Sequence, residues 1–89
     1  MNWRLAGPEI AYIVEDCKAA ILFVGPEFID QVRGLKDRLP SVRHFITTEG
    51  GAPEWQDFTK WRDAQPGDDP QVAIAPSDIA IQLYTSGTT

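Results

Sequence analysis

Cysteine is nearly missing from this chain: Cys17 is the only one in 89 residues. A disulfide framework and a thiolate metal cluster are therefore both excluded within it. Histidine is as scarce, with His44 alone. A general base needs partners that orient it and receive its proton, and no motif around His44 supplies them, so it reads as a structural residue near a strand's start. Positive charge is also short, at eight Lys and Arg against thirteen Asp and Glu, a net −5. Nucleic acid and anionic membranes reward a basic face, so neither is expected as a partner. The longest uninterrupted apolar run, residues 19–24, is far too short to span a bilayer, so no transmembrane segment is expected. No basic region followed by an apolar stretch opens the chain, so a signal peptide is not expected. With the single cysteine, this points to a reducing, cytoplasmic setting. No Gly-x-x-x-x-Gly-Lys-[Ser/Thr] phosphate loop and no internal repeat occurs.

What is present describes ordinary globular protein, 43% hydrophobic and 24% charged. The length suits one small domain or part of a larger one. Asn2-Trp3-Arg4-Leu5 leads into Gly7-Pro8-Glu9, which starts a helix: proline suits the first turn, and Glu9 complements the positive end of the dipole. Ile10, Ile13, Val14 and Cys17 then form one apolar stripe, on which Cys17 packs. Glu15 and Asp16 beside it disfavour a reactive thiolate. Residues 19–24 lack alternation, as a strand covered on both faces does. Gly25-Pro26 opens a second helix that buries Phe28, Ile29, Val32, Leu35 and Leu39, is weakened at Gly34 and stops at Pro40. Residues 42–48 form the second strand.

Residues 49–53 make a turn, and a third helix is expected from about Pro53 or Glu54 to Ala64. On it Trp55, Phe58 and Trp61 fall at i, i+3 and i+6, an aromatic stripe best read as packing. Residues 65–77, rich in Pro, Gly and Asp, form a linker or exposed loop. The pair Asp68-Asp69 has no third ligand nearby and reads as solvated. Alternating helices and strands predict an α/β fold, an open and mainly parallel sheet built from βαβ units.

The last stretch organises the rest. Ile79, Ala80, Ile81, Leu83 and Tyr84 make a mostly apolar run that suits a buried third strand. Then come Thr85, Ser86, Gly87, Thr88 and Thr89, all hydroxyl-bearing or glycine. Glycine admits a ligand close to the backbone, and N–H groups and hydroxyls supply donors, so such a loop is built for anions, phosphate above all. In an open α/β sheet, ligands gather outside the carboxyl ends of the strands, where this loop is expected.

Tyr84-Thr85-Ser86-Gly87-Thr88-Thr89 resembles the first half of the phosphate-loop signature of the AMP-forming adenylating enzymes, among them acyl-CoA synthetases, peptide-synthetase adenylation domains and beetle-type luciferases. Asn2-Trp3-Arg4-Leu5, the helix start at Pro8-Glu9, the strand at 19–24 and Leu39-Pro40-Ser41-Val42-Arg43-His44 follow the same family's order and spacing. The resemblance covers nearly the whole chain but only a slice of the family's large N-terminal domain, so residues 1–89 are expected to be a partial adenylation domain. It implies activation of a carboxylic acid by ATP and Mg²⁺, release of pyrophosphate, and transfer of the acyl group to CoA, with a fatty acid as the expected substrate. It also implies ATP phosphate binding by Thr85, Ser86, Gly87, Thr88 and Thr89, with no proton-transfer catalyst among them. The rest of the loop, the acid serving Mg²⁺, the Asp holding the ribose and the domain with the adenylation lysine do not occur here, so the 89 residues alone are expected to be inactive and marginally stable. Two other readings are an amino-acid adenylation domain and a non-catalytic nucleotide-binding α/β module or relic.

Overall fold

The computed structural model describes residues 5–85. Helix α1 spans Gly7–Asp16, with Pro8 in its first turn and the Glu9 carboxylate accepting the Ala6 N–H at 3.2 Å. It buries Ile10, Ala11 and Val14. Cys17 caps its end, half-buried, with Sγ 3.5 Å from the Val14 carbonyl. Lys18 then turns left-handed at φ +55°, and the Ala19 N–H reaches back to the Val14 carbonyl at 3.1 Å.

Strand β1 (Ile21–Val24) leads through a 3₁₀ turn at Pro26–Phe28 into α2 (Ile29–Arg33), and a second 3₁₀ turn covers Lys36–Arg38. The single helix expected over this stretch is thus three short pieces, and α2 gives way at Gly34. Glycine is a weak helix former, and the tighter turns still deliver Leu35 and Leu39 to the interior.

Strand β2 (His44–Thr47) and the two-residue β3 (Gln56–Asp57) complete a three-stranded sheet, order β1-β2-β3, parallel throughout. Ile21 pairs with His44, Val24 with Thr47, and Ile46 with Gln56. Asp57 caps α3 (Phe58–Asp63), its carboxylate accepting the Lys60 N–H. The fold is α/β with an open parallel sheet, as expected.

Alternation along the strands separates two faces. One carries Leu22, Val24 and Phe45 into a core with Ile10, Val14, Ile29, Val32, Leu35 and Leu39, beneath α1 and α2. Leu39 is 1% exposed, and sealing a leucine side chain from water is worth about 1.5–3 kcal/mol. The other face carries Ile21, Phe23 and Ile46 toward α3. Phe23 meets Phe58 and Trp61 edge-on, centroids 5.9 and 5.8 Å apart. That cover seals Ile46 completely but leaves Phe23 49% exposed. Residues 19–24 are therefore not covered on both faces.

Two expectations are corrected. Trp55 is not on the third helix with Phe58 and Trp61: it precedes β3, is buried, and stacks on Phe45 at 5.1 Å, on the opposite side of the sheet. Pairing with the edge of β2 holds Gln56-Asp57 extended, which delays the helix to Phe58. The apolar run 79–84 is not a buried strand either. Ile79, Ile81 and Leu83 are 82%, 78% and 83% exposed, in backbone with no regular structure. An extended segment is stabilised only by pairing its amides with a neighbour, and no strand of the described residues lies against it. Residues 65–77 are exposed and without regular structure. Among the described residues no helix is long and apolar enough to cross a membrane.

Candidate functional site

Parallel strands end together, and here the carboxyl ends of β2 and β3 border an open cleft of about 1100 Å³. Its floor comes from Thr47 and Gln56, one wall from Gly50 and Gly51, and the other from Lys60 and Trp61 on α3. Thr47 is 1% exposed, and its hydroxyl donates to the Gln56 carbonyl at 3.3 Å, tying the two strand ends together. The wall turns sharply because Gly50 and Gly51 take φ of +78° and +94°, a region closed to most side chains. At Gly51 space is short as well, since a Cβ there would stand 3.1 Å from Ile29 Cδ1.

Polar groups border this cleft without forming a catalytic set. His44 is exposed at the start of β2, and Asp57 is committed to capping α3. Among the described residues no three His, Cys, Asp or Glu side chains stand close enough to hold a metal ion. Asp69 closes a local turn, accepting the Gln71 N–H at 2.8 Å. Behind the glycine turn, Arg33 bridges Glu54 at 2.5 Å and Asp30 at 2.9 Å, with its guanidinium 5.9 Å from the Trp55 ring centre. The hydrogen bond from Arg33 holds the Glu54 carboxyl below its usual range, and the same bond raises the Arg33 pKa. Both side chains are well solvated, so this is a modest clamp on the turn rather than a reaction centre. Nothing in the sequence pattern singled out this cleft except Gly50-Gly51 following a strand.

Of the residues expected to bind phosphate, only Thr85 falls among the described residues. Thr85 is on the surface, and Ser86, Gly87, Thr88 and Thr89 lie outside the described residues. Neither Tyr84 nor Thr85 lines the cleft. No strand precedes Thr85, so the expected strand-to-loop junction at a carboxyl end is absent among the described residues. What fixes the approach to the loop is Tyr84, whose hydroxyl donates to Asp16 Oδ2 and accepts from Gln82 Nε2 at 2.8 Å. That bond, which ionisation would break, is the main reason the Tyr84 phenol is pushed up to about 12.

Known proteins are similar to this chain in sequence and in fold. Over 93 aligned residues the chain is 37% identical to an indoleacetate–CoA ligase of Aromatoleum aromaticum, covering all of this chain and 18% of that protein. It is 32% identical to a fatty acid–[acyl-carrier-protein] ligase of Streptomyces coeruleorubidus, covering all of this chain and 16% of the relative. The chain therefore spans about a sixth of the length of these curated relatives. Among solved structures, the anthranilate CoA ligase AuaEII in complex with anthranoyl-AMP superposes with a TM-score of 0.64 at 32% identity, over 74% of this chain and 12% of that one. A family model described as AMP-binding enzyme matches residues 1–89. The parallel βαβ order, the Thr/Ser/Gly string and this full-length match converge, and the chain belongs to the AMP-binding enzyme family.

Proposed function

We propose that these residues form part of an ATP-dependent acid–thiol ligase. In that reaction a carboxylate attacks the α-phosphate of ATP, releasing pyrophosphate and leaving an acyl-adenylate, and a thiol such as that of CoA then takes the acyl group. The observation that carries the reading is the family match over residues 1–89, within which Tyr84-Thr85-Ser86-Gly87-Thr88-Thr89 supplies the anion-binding chemistry. Thr85, Ser86, Gly87, Thr88 and Thr89 hold the β- and γ-phosphates of ATP, offsetting the charge that grows on the departing pyrophosphate. Mg²⁺ bound with the ATP spreads that charge further.

An aromatic carboxylic acid is the favoured substrate class, because the relative at 37% identity and the structural match are both named for aromatic acids. The fatty acid expected from the sequence stands as the second reading, supported by the fatty acid–[acyl-carrier-protein] ligase at 32% identity.

The test is a chimera in which residues 1–89 replace the corresponding stretch of the indoleacetate–CoA ligase. Acid-dependent exchange of pyrophosphate into ATP is expected from the chimera and not from the 89 residues alone. Gly87→Leu in the chimera should abolish exchange, while Gly67→Leu, in open space on the linker, should leave it unchanged. Full exchange by the Gly87→Leu chimera refutes the phosphate-loop assignment. Comparing benzoate-type with long-chain acids in the full-length protein separates the two substrate classes.

A further inference from the structure

Residues 66–85 run irregularly over the surface, and among the described residues their hydrogen bonds are local with one exception. That exception joins Tyr84 to Asp16, two positions 68 residues apart. Gln82 Nε2 donates to the Tyr84 hydroxyl at 2.8 Å, which leaves the phenolic proton directed at Asp16 Oδ2. Burial sets Tyr84 apart from its neighbours as well: it is 37% exposed, against 78% and 83% for Ile81 and Leu83. Asp16 is the last residue of α1, and the last turn of that helix carries no basic side chain. A carboxylate there opposes the helix dipole, so helix stability does not account for it. What it supplies is a charged acceptor, and hydrogen bonds to ionised groups are about twice as strong as neutral ones.

We infer that Asp16 is a positioning residue for the phosphate loop, acting on it through Tyr84. The inference rests on the function proposed above for residues 85–89. A tyrosine side chain turns about only two torsions, so fixing its hydroxyl confines its own backbone. The next Cα lies only about 3.8 Å further along the chain, so the placement of Thr85 follows that of Tyr84. A loop that spends only a fraction of its time in the binding position loses affinity by that fraction. Asp16 therefore acts on the affinity for a polyphosphate and not on the chemistry at the α-phosphate.

The experiment uses the chimera described above and reads the KM for ATP, the kcat of pyrophosphate exchange, and the binding of inorganic tripolyphosphate by calorimetry. Asp16→Ala and Tyr84→Phe should each raise KM and weaken tripolyphosphate binding about two- to tenfold, the worth of one hydrogen bond, with kcat unchanged. Both remove the same bond, so the double variant should be no weaker than either single one. Both side chains are exposed, and each variant should keep the parent's far-ultraviolet circular dichroism. Tyr12→Phe, at a 66% exposed tyrosine of the same helix, is the control and should match the parent. With Gly87→Leu inactive, three results each overturn the inference and leave the proposed function standing. These are an unchanged KM and tripolyphosphate affinity in the single variants, effects that add in the double variant, or a loss confined to kcat. Full exchange by the Gly87→Leu chimera overturns both.

Discussion

Replacing Ile46 by Val tests where the stability of this fold resides. Ile46 is 0% exposed, lies between β1 and β3 in the sheet, and sits on the face that α3 covers. Removing one buried methyl group costs about 0.5–1.5 kcal/mol, through lost transfer energy and an imperfectly filled space. The regular elements all lie within residues 7–63. At about 0.05–0.15 kcal/mol per residue, such a fold holds only a few kcal/mol in total. With a urea slope near 1 kcal/mol/M, as for the smallest domains, the unfolding midpoint should fall by about 0.5–1.5 M. Trp55 and Trp61 lie on opposite sides of the sheet, so tryptophan fluorescence follows the whole unit in one titration. Ile74→Val is the control: Ile74 is 79% exposed, and its midpoint should move by less than about 0.5 kcal/mol in equivalent free energy. Equal shifts for the two variants would refute the core described above.

Gly51→Ala should destabilise by more than about 1 kcal/mol, because the new Cβ faces both an unfavourable φ and Ile29 Cδ1 at 3.1 Å; a midpoint at the parent's value would show that the turn relaxes freely. Tyr84 should ionise at about 12, read from the phenolate absorbance, and Asp16→Asn should bring it back toward 10. The sign is set by the raised value. The contribution of the Tyr84–Asp16 contact is complete below the unfolded value of 10, declines as pH rises, and is gone above about 12. An unshifted Tyr84 titration in the parent would refute that contact.

Much of the fold was legible because its signals are local. The stripe of Ile10 and Val14 and the Pro8-Glu9 start locate α1 to within about two residues. Residues 19–24 and 42–48 announce β1 and β2 by their β-branched and aromatic content. The misreadings concern relations between distant residues. Trp55, Phe58 and Trp61 span less than two helical turns, and that is too little to tell a helix from a strand that ends in a helix. The difference is made by the unpaired edge of Ile46 and Thr47, which captures Gln56-Asp57. For residues 79–84 the pattern describes a strand but cannot supply the neighbour that a strand requires. Thr85 to Thr89 was legible in the sequence only as a run of hydroxyl and backbone donors, the chemistry on which the proposed phosphate binding rests. The cleft was not, because its walls come from three segments that share no motif.

Asp57 ends β3 and caps α3, so no slack separates strand from helix. A slip of β3 along β2 therefore has to roll α3 and carry Phe58 and Trp61 across the ring of Phe23. Coupled ring transitions are sensitive to angle and separation. This triad thus makes the protein its own optical gauge of strand alignment, readable in the near-ultraviolet without any added label.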